Sequence, residues 1–61
     1  MYKNFFMVTQ TNDVTCLLNC EHIVFIEKEQ DYYNVYLING WEIRINEKEN
    51  KKLVKNLGLV K

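Results

Sequence analysis

The chain has 61 residues, 48% of them apolar, and eight bases balance eight acids, so the formal net charge is zero. That length supports one small domain over residues 1–61, which buries only about 60% of the surface its unfolded chain exposes. The composition excludes a disordered chain. No apolar run reaches the roughly 18 residues that a membrane-crossing helix needs, so no membrane partner is expected.

The residues before Thr9 read Met1-Tyr2-Lys3-Asn4-Phe5-Phe6-Met7-Val8, with one lysine and no small-residue cleavage site. A secretory leader is therefore not expected, and the reading is a cytoplasmic protein with reduced thiols. Phe5 to Thr9 predicts a first strand, with Phe6 and Val8 on one face and Phe5, Met7 and Thr9 on the other. Thr11-Asn12-Asp13 is turn chemistry. Val14 to Leu18 predicts a second strand, and Asn19-Cys20-Glu21-His22 a short connection. Ile23-Val24-Phe25-Ile26 opens a third strand that runs to about Glu29. Four apolar residues in a row predict that both faces are covered there.

The stretch from Tyr32 to Ile45 predicts a hairpin around Asn39-Gly40, a dipeptide that favours a two-residue type I′ turn. That turn sets Ile38 opposite Trp41, Tyr36 opposite Ile43 and Asn34 opposite Ile45 on one face. Leu37 then meets Glu42, Val35 meets Arg44 and Tyr33 meets Asn46 on the other. In this register Tyr36 and Trp41 belong to the core, while Tyr33 and Arg44 face a possible ligand.

A helix is predicted over about 47–57. Asn46 as N-cap and Glu49 three residues later form a pair like a capping box. Lys51, Lys52 and Lys55 follow, and Gly58 suits the left-handed position after the helix, with Leu59 packing back on Val54. Leu53, Val54 and Leu57 give the helix a narrow apolar stripe. The expected fold is mainly β: a five-stranded antiparallel meander or SH3-like partial barrel with one C-terminal helix. Its apolar residues are too many for one short helix to cover. A homo-oligomer is therefore expected unless the sheet closes into a barrel.

The run Val8-Thr9, Leu18-Asn19, Ile23, Ile26-Glu27, Val35-Tyr36-Leu37-Ile38-Asn39-Gly40 and Ile45 resembles the small flagellar FlbD-like family. The resemblance implies a small β-rich protein with a strand ending in Leu-Asn, a hairpin and a short helix, and no known catalytic site. Ile23, Phe25-Ile26-Glu27 and Asp31-Tyr32-Tyr33-Asn34-Val35-Tyr36-Leu37 are also similar to the strands of LytTR-type DNA-binding domains. Those domains are longer and place their base-reading residues beyond this chain's last position.

Residues 1–47 carry three bases and seven acids, whereas residues 48–61 carry five lysines and one acid. A body of this sign disfavours nucleic acid as a partner. The charges of body and tail could instead attract across a subunit interface, or the lysines could form a solvated helix face. Cys16, Cys20 and His22 supply three of the four ligands that a structural zinc needs, and no second Cys/His pair follows. No metal or cofactor is expected. Phosphate-loop, dinucleotide, zincin and nucleophile-elbow motifs are absent from the sequence, so no catalysis is expected.

The candidate ligand-binding residues are Tyr33, Arg44, Tyr32, Lys28, Trp41 and Tyr36. Aromatics with nearby cations stack bases and pair with phosphates, yet the same residue types build protein interfaces and small cores. The expected function is a non-catalytic binding module. It forms a homo-oligomer and holds a small anionic nucleotide at subunit junctions, as a small phage chain sequestering a nucleotide signal would. The alternatives are a protein–protein adaptor using the aromatic face or an edge strand, and a LytTR-like nucleic-acid-binding module.

Overall fold

A computed structural model describes residues 4–59, and the N-terminal reading above falls partly on residues 1–3, outside them. The fold is mainly β, with five antiparallel strands followed by one short helix. β1 (Phe5–Thr9) pairs with β2 (Thr15–Asn19), and β4 (Tyr33–Leu37) lies between β3 (Ile23–Lys28) and β5 (Glu42–Ile45). A 3₁₀ turn over Cys20–His22 joins β2 to β3, and the helix α1 spans Lys51–Asn56. A single bridge, Gln10 to Ile45, joins the two sheets, reinforced by the Thr11 N–H donating to the Arg44 carbonyl at 2.9 Å. The five strands thus form two antiparallel sheets, β1-β2 and β3-β4-β5, that meet at one seam rather than one continuous meander.

The alternation in β1 and β2 is as the sequence dictates. Val8 and Leu18 are buried, Phe6 and Cys16 pack against the same core, and Met7 and Leu17 point outward. The turn between them uses Asp13 at φ 70°, a left-handed conformation that a short polar side chain tolerates. Asn12 Oδ1 accepts from the Val14 N–H across the same turn.

The hairpin departs from expectation by one residue. Tyr33 pairs with Ile45, Asn34 with Arg44, Val35 with Ile43 and Tyr36 with Glu42. The Leu37 N–H donates to the Trp41 carbonyl, and the Gly40 N–H to the Leu37 carbonyl, so the loop holds three residues, Ile38, Asn39 and Gly40. A two-residue type I′ turn needs φ > 0 at both central positions. Here Gly40 has φ 86°, while Asn39 keeps a negative φ and its Oδ1 accepts from the Trp41 N–H. The apolar alternation of the strands prevails over the preference of the Asn-Gly pair. Tyr33, Val35, Ile43 and Ile45 meet on the inner face and are all buried. Trp41 is therefore not core but 69% exposed at the rim, and Tyr36 lies on the outer face.

The core is closed by Leu53 and Val54 of α1, packed with Val8, Leu18, Val35 and Ile45. The helix starts at Lys51, four residues later than the sequence predicts. Asn46 Oδ1 does accept from the Glu49 N–H at 2.9 Å, but it caps a turn that precedes the helix. Asn50 takes the N-cap position and uses its side chain elsewhere. Its Oδ1 accepts from the Thr9 N–H, and its Nδ2 donates to the carbonyls of Thr9 and Asn46, each at 2.9 Å. The buried amide thus acts as a strand partner at the end of β1, satisfying backbone groups that the open seam leaves unpaired. The C-terminal end follows the sequence: Gly58 has φ 78°, its N–H donates to the Lys55 carbonyl, and the Leu59 N–H donates to the Val54 carbonyl.

Asn50→Ala removes three buried hydrogen bonds and strands the Thr9 backbone groups. The expected loss is about 3 kcal/mol, read by denaturant unfolding. Asn50→Asp keeps the acceptor for the Thr9 N–H but sets a carboxylate against two carbonyls. It is expected to destabilise as well rather than rescue.

Candidate interaction surfaces

The structure divides the six predicted ligand residues among three places. Tyr33 is buried in the core, contrary to the outward position its predicted register implies, and Lys28 Nζ lies 5.1 Å from its ring centroid. Arg44 is exposed, with its Cζ 5.3 Å from the ring centroid of half-buried Tyr32. Tyr36 sits mid-sheet on the outer face, and Trp41 stands at the hairpin tip on the inner face's rim. Only Tyr32 and Arg44 meet as a ring and cation at the surface.

The first surface is the outer face of β3-β4-β5. Register places Phe25 beside Tyr36, Glu27 beside Asn34, and Glu42 and Arg44 on the far strand. The Phe25 and Tyr36 rings stack with centroids 4.4 Å apart and an interplanar angle of 13°. Tyr36 Oη donates to Glu27 Oε1 at 2.8 Å. That hydrogen bond is the main reason the phenol is pushed up to about 12, and Glu27, Glu42 and Glu29 add their charges. Asn34, only 6% exposed, lies between Glu27 and Arg44, and its Nδ2 donates to Glu29 Oε2 at 3.4 Å. Its buried Oδ1 has no donor among the described residues.

The second surface lies between β2 and the hairpin tip. Two adjoining depressions, of about 360 and 300 Å³, share Leu17, Leu18 and Leu37. Ile38 and Trp41 border them at 64% and 69% exposure, and the only charged residue lining either is Glu42. The third is a groove of about 560 Å³ between β1 and the segment entering α1, lined by Phe5, Phe6 and Met7 on one side and Lys48, Lys51 and Lys52 on the other.

Sequence reasoning passed over Leu17, Ile38 and Phe25 as surface residues. The outward alternation of Leu17 opposite Met7 was the available signal. The covered faces expected at Ile23–Ile26 are not observed either: Val24 and Phe25 are 58% and 50% exposed. A register shift between Ile23 and Phe25 turns both toward the outside. Both cysteines are free, and burial pushes the Cys20 thiol up. Among the described residues no helix is long and apolar enough to cross a membrane. No protein-family model, curated protein or solved structure matches the chain.

Glu27→Gln removes both the strong acceptor and one of the three charges beside Tyr36. A near-ultraviolet titration of tyrosinate should then show this phenol ionising closer to its ordinary value of 10. In the parent chain the folded state holds the Tyr36 proton more tightly than the unfolded state. The stability linked to this group is thus full below about pH 10 and is lost as the pH rises toward 12.

Proposed function

We propose that the chain is a non-catalytic binding module of the cytoplasm that works as a homo-oligomer. The observation that carries this is the exposure of seven large apolar side chains. Met7, Val14, Leu17, Val24, Phe25, Ile38 and Trp41 each show half or more of their surface to solvent. Scattered single apolar residues on a surface are ordinary, but a continuous patch marks a contact. Leu17 and Leu37 line both adjoining depressions, with Ile38 in one and Trp41 in the other, so the four make one patch. A standard interface of about 800 Å² per partner would cover roughly one sixth of the 4782 Å² that this chain exposes.

The ligand in this reading is a small anionic nucleotide held where copies meet. Tyr32 and Arg44 are the ring and cation that would receive it. Glu27, Glu29 and Glu42 on the same face oppose an anion on a lone copy, so cations from a second copy are needed beside them.

A second reading, a protein–protein adaptor, is favoured by the hairpin-tip patch, whose lining is almost free of charge. Docking on such a surface requires little desolvation of charged groups.

Native mass spectrometry on freshly purified, undialysed protein tests the first reading. A discrete oligomer is expected, with added mass of nucleotide size if ligand is carried along. A bare oligomer that shows no thermal shift across a panel of cyclic and linear nucleotides would remove the ligand but keep the assembly. A monomer at micromolar concentration would overturn the homo-oligomer and leave the adaptor.

A further inference from the structure

The outer face of β3-β4-β5 and the helix α1, whose entry borders the groove, lie on opposite sides of that sheet. Leu53 and Val54 of the helix pack on the inner face of the sheet, with Val35 and Ile45, whereas Phe25, Tyr36 and Glu27 point away from it. The two surfaces are opposite in charge and alike in their apolar centre. On the sheet face, the stacked Phe25 and Tyr36 rings are surrounded by Glu27, Glu29 and Glu42. In the groove, Phe5, Phe6 and Met7 are flanked by Lys48, Lys51 and Lys52, with Glu49 the one acid among them. Among the described residues no lysine or arginine forms an ion pair with a carboxylate of the same chain.

Asn34 adds a polar group to the acidic side of that face. Its side chain is more than nine-tenths buried, lies on that face between Glu27 and Arg44, and its Oδ1 has no donor among the described residues. An unmet acceptor of this kind costs about 1–3 kcal/mol. The atom is shielded from solvent, so it adds to the polarity of the face without itself meeting a second copy.

We propose that the acidic, aromatic face of β3-β4-β5 binds the lysine-flanked groove of a second copy, so that copies associate head to tail. This rests on the homo-oligomer reading and specifies its contact. Because the two surfaces are distinct, one copy of a pair keeps its groove free and the other keeps its sheet face free. The assembly then closes into a ring or continues as a filament, according to the rotation between neighbours. The contact also brings the lysines of one copy beside Tyr32 and Arg44 of the next, where an anionic ligand would need them.

Sedimentation velocity on two charge-reversed variants tests this, with circular dichroism to check that each folds. In Lys51→Glu/Lys52→Glu the groove would repel the acidic face. In Glu27→Lys/Glu29→Lys the face would repel the groove. Each variant alone should run as a monomer where the parent chain is associated, and an equimolar mixture of the two should associate again. A chain carrying all four substitutions should also regain association. Raising the salt concentration should weaken the parent assembly. Should either pair prevent folding, Glu42→Lys and Lys48→Glu offer the same exchange at two exposed positions. A variant that keeps the parent oligomer would overturn the head-to-tail contact while leaving the homo-oligomer intact. So would a mixture that stays monomeric. A monomeric parent chain would overturn both.

Discussion

The register of the β4-β5 hairpin is the constraint from which the other placements follow. Side chains alternate across a strand, so moving the pairing by one residue exchanges partners across the whole ribbon. With Gly40 alone in the left-handed region, the loop takes three residues and Val35 meets Ile43. The inner face then receives Tyr33, Val35, Ile43 and Ile45, all within 8% exposure. The outer face receives Asn34, Tyr36, Glu42 and Arg44. A two-residue loop would have set Asn34 opposite Ile45 and Val35 opposite Arg44, mixing polar and apolar groups on both faces. Burying an arginine or stranding an isoleucine costs more than the modest preference of Asn-Gly for a type I′ turn.

The seam between the sheets raises a related problem and meets it with one side chain. The chain just past β1 touches β5 through a bridge from Gln10 to Ile45. Just before it, the Thr9 backbone faces the point where the chain turns into α1. Asn50 presents an amide there that donates and accepts as a strand residue would. The same side chain reaches the Asn46 carbonyl, tying the turn before the helix to the sheet. The helix thereby gives up a side-chain cap at its own N-terminus. A helix of six residues has little stability of its own. It is held by Leu53 and Val54 in the core at one end and by the Gly58 closure at the other.

How much of this could be read from the residues varied with the kind of signal. Strands with two-residue alternation, such as Phe5–Thr9, and the paired glycine and leucine after the helix were legible, because one local rule decides each. The hairpin turn carried two signals in conflict. The dipeptide pointed to two loop residues, whereas the apolar sets Tyr33, Val35 and Ile43, Ile45 matched only with three. The role of Asn50 had no local signature, since it is one of eight asparagines and its partner is 41 residues away. For the six residues grouped as a site, residue type was informative and location was not. The core claimed Tyr33, and the turn carried Trp41 to the rim.

Charge shows the opposite relation between sequence and structure. The contrast between an acidic body and a basic tail is visible in composition, but composition allows body and tail to neutralise each other within one copy. The fold prevents this. The glutamates of β3 and β5 stand on the face turned away from the helix, while Lys48, Lys51 and Lys52 border the groove beside β1. The described residues hold all eight acids and six of the eight bases of this neutral chain, and among them no acid pairs with a base. A chain with zero net charge has no long-range repulsion to keep copies apart. With its two signs separated on different surfaces, the orientation in which copies attract is the one that sets unlike surfaces together.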